Sequence, residues 1–225
     1  MKRMACWLLA LAMLVIPVRG AEEKYVAMTF DDGPSGRFTR RLLQGLEERE
    51  ALATFFLCGY RLEQYPELAG EILDGRHEIG LHGYSHNCMA DMSPGTLEEE
   101  LDRTAALLEA QTGTASCLLR PPGGKTCDRV KSAAAARGLS LVQWSVDPRD
   151  WATHDKTSVV RQVVDAVQDG DIILLHDMSD SSVDAALEIV DTLRAQGYRF
   201  VTVTQLSALR GTALEAGQCY WSFYP

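Results

Sequence analysis

The sequence predicts an α/β protein built as a single deformed (β/α) barrel of about seven βα units. Three observations carry this expectation. Short runs rich in β-branched and aromatic residues alternate with longer helical patterns from residue 24 to about residue 209, the arrangement that puts parallel strands inside and helices outside. No long linker divides the 225 residues, a length that suits one domain with a full core. Ionisable residues also stand directly after several apolar runs, where the loops at the C-terminal ends of barrel strands gather.

The elements follow in order. Residues 25–30 read as the first strand, 37–49 as a helix and 52–57 as the second strand. Residues 66–74 are helical and 78–81 form a short strand. Residues 97–111 give the clearest helix, because Leu97, Leu101, Thr104, Leu107 and Leu108 fall on one stripe. Ser93-Pro94 and three glutamates open it, and Gly113 closes it. Then come a strand at 117–119, a helix at 128–137, a strand at 139–144, a helix at 158–168, a strand at 171–175, a helix at 183–196 and a strand at 199–203. The tail after Ser207, with Cys219, Trp221 and Tyr224, has no assigned role and reads as a short packing segment or disordered chain.

Lys2 and Arg3 precede an apolar run from Met4 to Val18, and Gly20-Ala21 supply small residues for a cleavage site. This is the layout of a secretory signal, so residues 1–20 are expected to be a signal peptide and residues 21–225 the domain. The run is short for a membrane span. The expected product is secreted or cell-wall associated, monomeric, and without stable membrane insertion after cleavage. Removing Lys2, Arg3 and Arg19 changes the formal charge of −9 to −12, with 19 basic against 31 acidic residues. Such a surface excludes nucleic acid and anionic lipid as partners, since both require a basic footprint. Five cysteines remain, Cys58, Cys88, Cys117, Cys127 and Cys219. Cys117 and Cys127 flank one short loop and are a candidate bridge, and no spacing matches a zinc ribbon.

Five strand ends carry the chemistry. The first reads TFDDGP, residues 29–34, with two adjacent carboxylates, Asp31 and Asp32. Like charges this close disfavour one another's ionisation unless a cation or donor takes them up. After residues 78–81 comes HGYSH, with His82 and His86 four apart, a spacing that suits two ligands of one metal ion on a helical face or around a tight loop. Two such histidines can instead be satisfied by backbone carbonyls. Together with a carboxylate from another strand end they make the His, His, Asp set of a catalytic zinc site. RPPGG, residues 120–124, offers in Arg120 a planar fork that fits a carboxylate. DPRDW, residues 147–151, sets an aspartate beside a tryptophan, either as a charge and a wall in a cleft or as a capped turn with a core indole. IILLHD, residues 172–177, ends a buried run in an ionisable pair.

In this order the motifs resemble those of the polysaccharide deacetylases of carbohydrate esterase family 4, the NodB-homology enzymes, over roughly residues 24–206. The resemblance implies a deformed (β/α) barrel that removes N- or O-acetyl groups from polysaccharides with one divalent metal, usually zinc, or another such as cobalt. It implies that Asp32, His82 and His86 hold the metal. Asp31 would be the general base, Arg120 would hold that base, His176 would be the general acid, and Asp150 would orient His176. Trp151 and Leu174 would line the pocket for the acetyl methyl, and the N–H of Gly123 would donate to the oxyanion. One departure stands out: the family usually has Tyr or Phe where this chain has Gly123, which keeps the donor and removes an aromatic wall. The resemblance and the export signal together point to an exported deacetylase of an acetylated polysaccharide. Peptidoglycan N-acetylglucosamine is the first expectation. Chitooligosaccharide or acetylxylan is the alternative substrate, and a non-catalytic metal- or glycan-binding barrel is the alternative class.

Overall fold

Side chains alternate along β1 (Lys24–Gly33) between two apolar clusters. Val26, Met28 and Phe30 join the large cluster that the helices cover. Ala27 joins a smaller one with Phe56, Leu118, Val142 and Ile172, each from a different strand. A two-residue period requires this division, and the second cluster is the lining of the curled sheet. The computed structural model describes residues 23–225; the expected signal segment, residues 1–20, lies outside them.

The remaining strands are β2 (Ala53–Leu57), β3 (Glu78–Leu81), β4 (Leu118–Leu119), β5 (Ser140–Val142), β6 (Ile172–His176), β7 (Tyr198–Phe200) and β8 (Cys219–Tyr220). They form one parallel sheet in the order β6-β1-β2-β3-β4-β5-β8, with β7 added at the start of β1. The chain is therefore an α/β protein with its parallel strands curled into a deformed barrel. The inner phase runs Ala27, Thr29, Asp31 on β1 and Ile172, Leu174, His176 on β6. These strands pair in register, so Asp31 lies beside His176. Carried past the ends of β3 and β4, the same phase gives His82 and Arg120. Four ionisable side chains thus reach one end of the barrel because each sits in phase with the lining of its strand.

The helices are α1 (Arg37–Glu47), α2 (Gly59–Gln64), α3 (Leu68–Asp74), α4 (Pro94–Thr112), α5 (Asp128–Ala135), α6 (Asp150–Thr153), α7 (Lys156–Ala166), α8 (Asp180–Ala195) and α9 (Val203–Leu209). The stripe on α4 buries Leu97, Leu101, Thr104 and Leu108. Ser93 caps its start by accepting from the Thr96 N–H, and Gly113 ends it in the left-handed region.

Two expectations are corrected, one strand and one disulfide; two short helices are added, and the tail takes the first of its two expected forms, a packing segment. The pattern at 199–203 is not one strand: β7 ends at Phe200, and Thr202 with Gln205 forms a capping box that starts α9. Helices α2 and α6 were not expected, being only 6 and 4 residues long, too short to show a helical period. The tail is ordered. Its β8 pairs with β5, Ser222 bridges to Asp171, and the Phe223 N–H donates to the Gly170 carbonyl at 2.7 Å. It fills the gap between β5 and β6, which are otherwise joined only beyond the end of β5, where Ser145 and Val146 hydrogen-bond to Ile172 and Leu174. The five described cysteines are free, so Cys117 and Cys127 are not bridged. Among the described residues no helix is long and apolar enough to cross a membrane.

Candidate active site

Adjacent residues of a regular strand face opposite sides of the sheet, yet Asp31 and Asp32 both line one pocket. The backbone explains this. The register of β1 against β2 shifts between Asp31 and Gly33, and Asp32 takes a left-handed φ of 70°. This bulge turns the second carboxylate to the side of the first, as bulges re-aim side chains at barrel rims.

Asp31 is 3% exposed and is held by Arg120, whose Nη1 donates to Oδ1 at 2.7 Å. Arg120 is wholly buried, and every other arm of its guanidinium is committed. Nη1 also donates to the Thr29 hydroxyl at 2.7 Å, Nε to the Val142 carbonyl at 3.0 Å and Nη2 to the Gln143 carbonyl at 2.8 Å. Its charge lies 4.1 Å from the centre of the Phe56 ring. The arrangement fixes Oδ1 of Asp31 and leaves Oδ2 toward the pocket, 3.7 Å from His82 Nε2.

His82, His86 and Asp32 converge, each offering one donor atom within 4.8 Å of the others. Nδ1 of His82 lies 2.6 Å from the Arg120 carbonyl, which can only accept, so Nδ1 carries the proton. The lone pair of its Nε2 then points at Oδ1 of Asp32, 3.3 Å away, and His86 Nε2 approaches the same oxygen at 2.9 Å. That oxygen is buried and has no hydrogen-bond partner. Three lone-pair atoms facing one another around an unsatisfied carboxylate oxygen fit a divalent cation, and the carbonyl behind His82 is the outer-shell partner such a ligand requires. The histidines sit on a loop rather than a helix. Glu100 of α4 accepts from the Tyr84 and Ser85 N–H groups at 2.7 and 2.8 Å, and the first N–H groups of α2 donate to the Gly83 and Tyr84 carbonyls.

His176 is clamped by Asp150, a 1% exposed residue at the start of α6. One carboxylate oxygen takes Nδ1–H at 2.8 Å and the other takes the His176 backbone N–H at 2.9 Å. Nε2 faces the pocket, 4.0 Å from Asp32 Oδ2. Burial disfavours the imidazolium, but the hydrogen bond and charge of Asp150, with Asp31 and Asp32 behind it, outweigh burial and raise the ring from 6.5 to about 9.

The pocket has a volume of about 580 Å³. Asp31, Asp32, His82, His86 and His176 line it together with Gly123, Trp151 and Leu174, while Arg120 and Asp150 act from behind the wall. Three lining residues had no role in the sequence reading: Trp144, Asp147 and Arg149. Trp144 was findable, being in phase with Val142 on β5. Thr29 was findable too, since it precedes Asp31 in the inner phase of β1. Asp177 is a further addition. It is wholly buried, burial pushes its carboxyl up to about 6, and it accepts from the Thr39 hydroxyl while its carbonyl accepts from the Ser35 hydroxyl. It thereby ties the end of β6 to the loop that follows Asp32.

Residues 19–142 match the family profile described as polysaccharide deacetylase. The chain is 40% identical over 189 residues to a peptidoglycan-N-acetylglucosamine deacetylase of Bacillus cereus, covering 82% of this chain and 88% of that protein. It is 36% identical over 188 residues to the peptidoglycan-N-acetylmuramic acid deacetylase PdaC of Bacillus subtilis, covering 84% of this chain and 40% of that longer protein. Among solved structures, a family 4 acetyl xylan esterase from Clostridium thermocellum, in complex with a cobalt ion, superposes with a TM-score of 0.83 at 32% identity, over 88% of this chain and 98% of that one. The bulged Asp-Asp strand end, the cluster of Asp32 with two histidines and the anchored side chains of Asp31 and His176 thus stand on a chain that belongs to the polysaccharide deacetylase family.

Proposed function

We propose that this protein is an exported, metal-dependent N-deacetylase of peptidoglycan, acting on N-acetylglucosamine residues. The observation that carries the reading is the convergence of Asp32, His82 and His86 beside two separately anchored proton carriers, Asp31 on Arg120 and His176 on Asp150. Asp32, His82 and His86 would hold a divalent ion, zinc or another such as cobalt, which would polarise the acyl carbonyl and make water a nucleophile at neutral pH.

The chain's own groups supply the proton transfers. Asp31 takes the proton of the attacking water on Oδ2, because Arg120 occupies Oδ1. The Gly123 N–H donates to the oxyanion of the tetrahedral intermediate. His176 delivers the Nε2 proton to the departing nitrogen, and Asp150 keeps the ring oriented and charged until then. Leu174 and Trp151 enclose the acetyl methyl. The amide C–N bond breaks, giving acetate and a glucosamine-type amine. The names of the two bacterial relatives support peptidoglycan as the glycan.

The test is acetate release by residues 21–225 from peptidoglycan, N-acetylglucosamine oligomers and acetylxylan, with zinc added and with zinc chelated. Release from peptidoglycan that stops on chelation is expected, as is its loss in Asp31→Asn with zinc still bound. Release from chitooligosaccharide or acetylxylan alone overturns the substrate. Zinc binding without release from any of the three favours a binding protein.

A further inference from the structure

His86 is the outlying member of the cluster it forms with Asp32 and His82. His82 is 1% exposed, directly after β3, and the Arg120 carbonyl fixes its ring through Nδ1. The His86 side chain is 43% exposed and has no such carbonyl behind it among the described residues. Its backbone is left-handed, with φ 63°, a region that a residue with a Cβ occupies only when its surroundings impose it. Where the ring of His86 stands is therefore decided by Gly83, Tyr84 and Ser85, which join it to His82.

These residues are gripped from outside the loop. Glu100 of α4 accepts from the N–H groups of both Tyr84 and Ser85, at 2.7 and 2.8 Å, and both bonds go to the same oxygen, Oε2. On the other side the N–H groups of Gly59 and Tyr60 donate to the Gly83 and Tyr84 carbonyls at 2.9 and 3.1 Å. The Tyr84 side chain is pegged as well. Its hydroxyl donates to Glu63 of α2 at 3.0 Å, and the Arg103 guanidinium lies 3.6 Å from the centre of its ring. Glu100 and Arg103 are three apart on α4, so one face of that helix meets the loop. Glu98 and Glu99 are exposed, whereas Glu100 is half-buried. Gly83 leaves room for it: at φ 78°, an added Cβ would come within 3.2 Å of Glu100 Oε2 and 2.7 Å of the Met89 side chain.

We propose that Glu100 is a positioning residue for the metal centre: by holding the Tyr84 and Ser85 N–H groups it fixes the loop that presents His86, and so sets how tightly the centre binds a divalent cation. The inference rests on the reading of Asp32, His82 and His86 as metal ligands and extends it to a residue on a separate helix. A ligand held in place before the ion arrives loses little conformational freedom on binding. Without Glu100, two backbone donors lose their acceptor and the ion itself must order the loop.

The experiment measures zinc affinity by competition with a chromophoric chelator, and amide hydrogen exchange of Tyr84, Ser85 and His86 in metal-free protein. It compares the wild type with Glu100→Ala, Glu100→Gln and Gln111→Ala. Gln111 is the control: it ties α4 to α2 through the Leu62 carbonyl at 2.9 Å, about three turns away from Glu100. Glu100→Ala should weaken zinc binding by on the order of tenfold to a hundredfold and speed exchange of the loop amides. Glu100→Gln should keep most of the affinity, because one amide oxygen can accept both bonds. Gln111→Ala should lower the urea midpoint and leave zinc affinity unchanged. Should Glu100→Ala not fold, Glu100→Asp, one methylene shorter, takes its place with the same expected loss. Zinc affinity unchanged by the shortened side chain, or lowered equally by Gln111→Ala, overturns the inference. Equal losses in Glu100→Gln and Glu100→Ala overturn it too, since the charge and not the hold would then be the cause. A wild type that binds no zinc overturns the metal reading, and this inference with it.

Discussion

Replacing Asp150 by Asn tests the electrostatics of the site on a group that can be titrated directly. Asp150 gives His176 two contacts, one to Nδ1–H and one to the backbone N–H. The rise of the ring from 6.5 to about 9, at about 1.4 kcal/mol per pH unit, corresponds to about 3 kcal/mol of preference for the protonated form. The His176 side chain is only 12% exposed, so solvent screening removes little of this. Because the folded value lies above the ordinary one, the contribution is fully present below about pH 6.5 and is lost as pH rises through about 9. Asparagine keeps the shape but has one acceptor for two donors, and its NH₂ is turned on an N–H group. With the counter-charge gone, burial dominates and the His176 midpoint should fall to about 7 or lower.

Nitrogen-detected NMR of metal-free protein gives the midpoint, and urea unfolding at several pH values between 6 and 10 gives the linked stability. The wild type should lose about 3 kcal/mol across that range and Asp150→Asn should lose little of it. Turnover should collapse first on the alkaline side, where the acid is no longer charged. A midpoint that stays near 9 in the variant would refute the assignment of Asp150 as the group that charges His176.

Two further outcomes follow from the packing. Arg120→Met should cost about 3 to 5 kcal/mol in urea unfolding and abolish turnover, since it strands the buried Asp31 carboxylate and two carbonyls; Arg120→Lys should not rescue turnover, because an ammonium cannot reproduce the planar fork that serves four acceptors. Deleting residues 218–225 removes the 4% exposed Phe223 and three backbone hydrogen bonds to Leu141, Gln143 and Gly170. The loss should be on the order of 5 kcal/mol, and a urea midpoint unchanged by the deletion would contradict the closure of the barrel by the tail.

The long elements were legible because their periods are long. α4 shows its stripe, its Ser93 cap and its Gly113 stop in the sequence, and β1 and β6 show unbroken apolar approaches to Asp31 and His176. The convergence of the five strand ends followed from topology alone, since parallel strands deliver all their C-terminal ends to one side. What stayed hidden depends on contacts between segments distant in the chain. Glu100 looks like one of three solvated acids opening a helix, and nothing local says that it holds the His82–His86 loop. Arg149 reads as a spacer between Pro148 and Asp150, because its left-handed backbone is imposed by Asp147 and α6 rather than by its own propensity. The tail pattern at Cys219 and Tyr220 is two residues long, and only the open edge of β5 makes a strand of it.

That edge also orders events in time. The segment that pairs with β5 is separated from it by 78 residues of chain, from Leu141 to Cys219, so the pairing has a long loop-closure delay and cannot form while those residues are still being made. The wall bearing Asp147, Arg149 and Asp150 docks instead on β6, through the Val146–Ile173 bridge and the two Asp150–His176 contacts. The edge of β5 therefore closes late, and a chain stalled before Cys219 would present an unpaired strand edge to its neighbours.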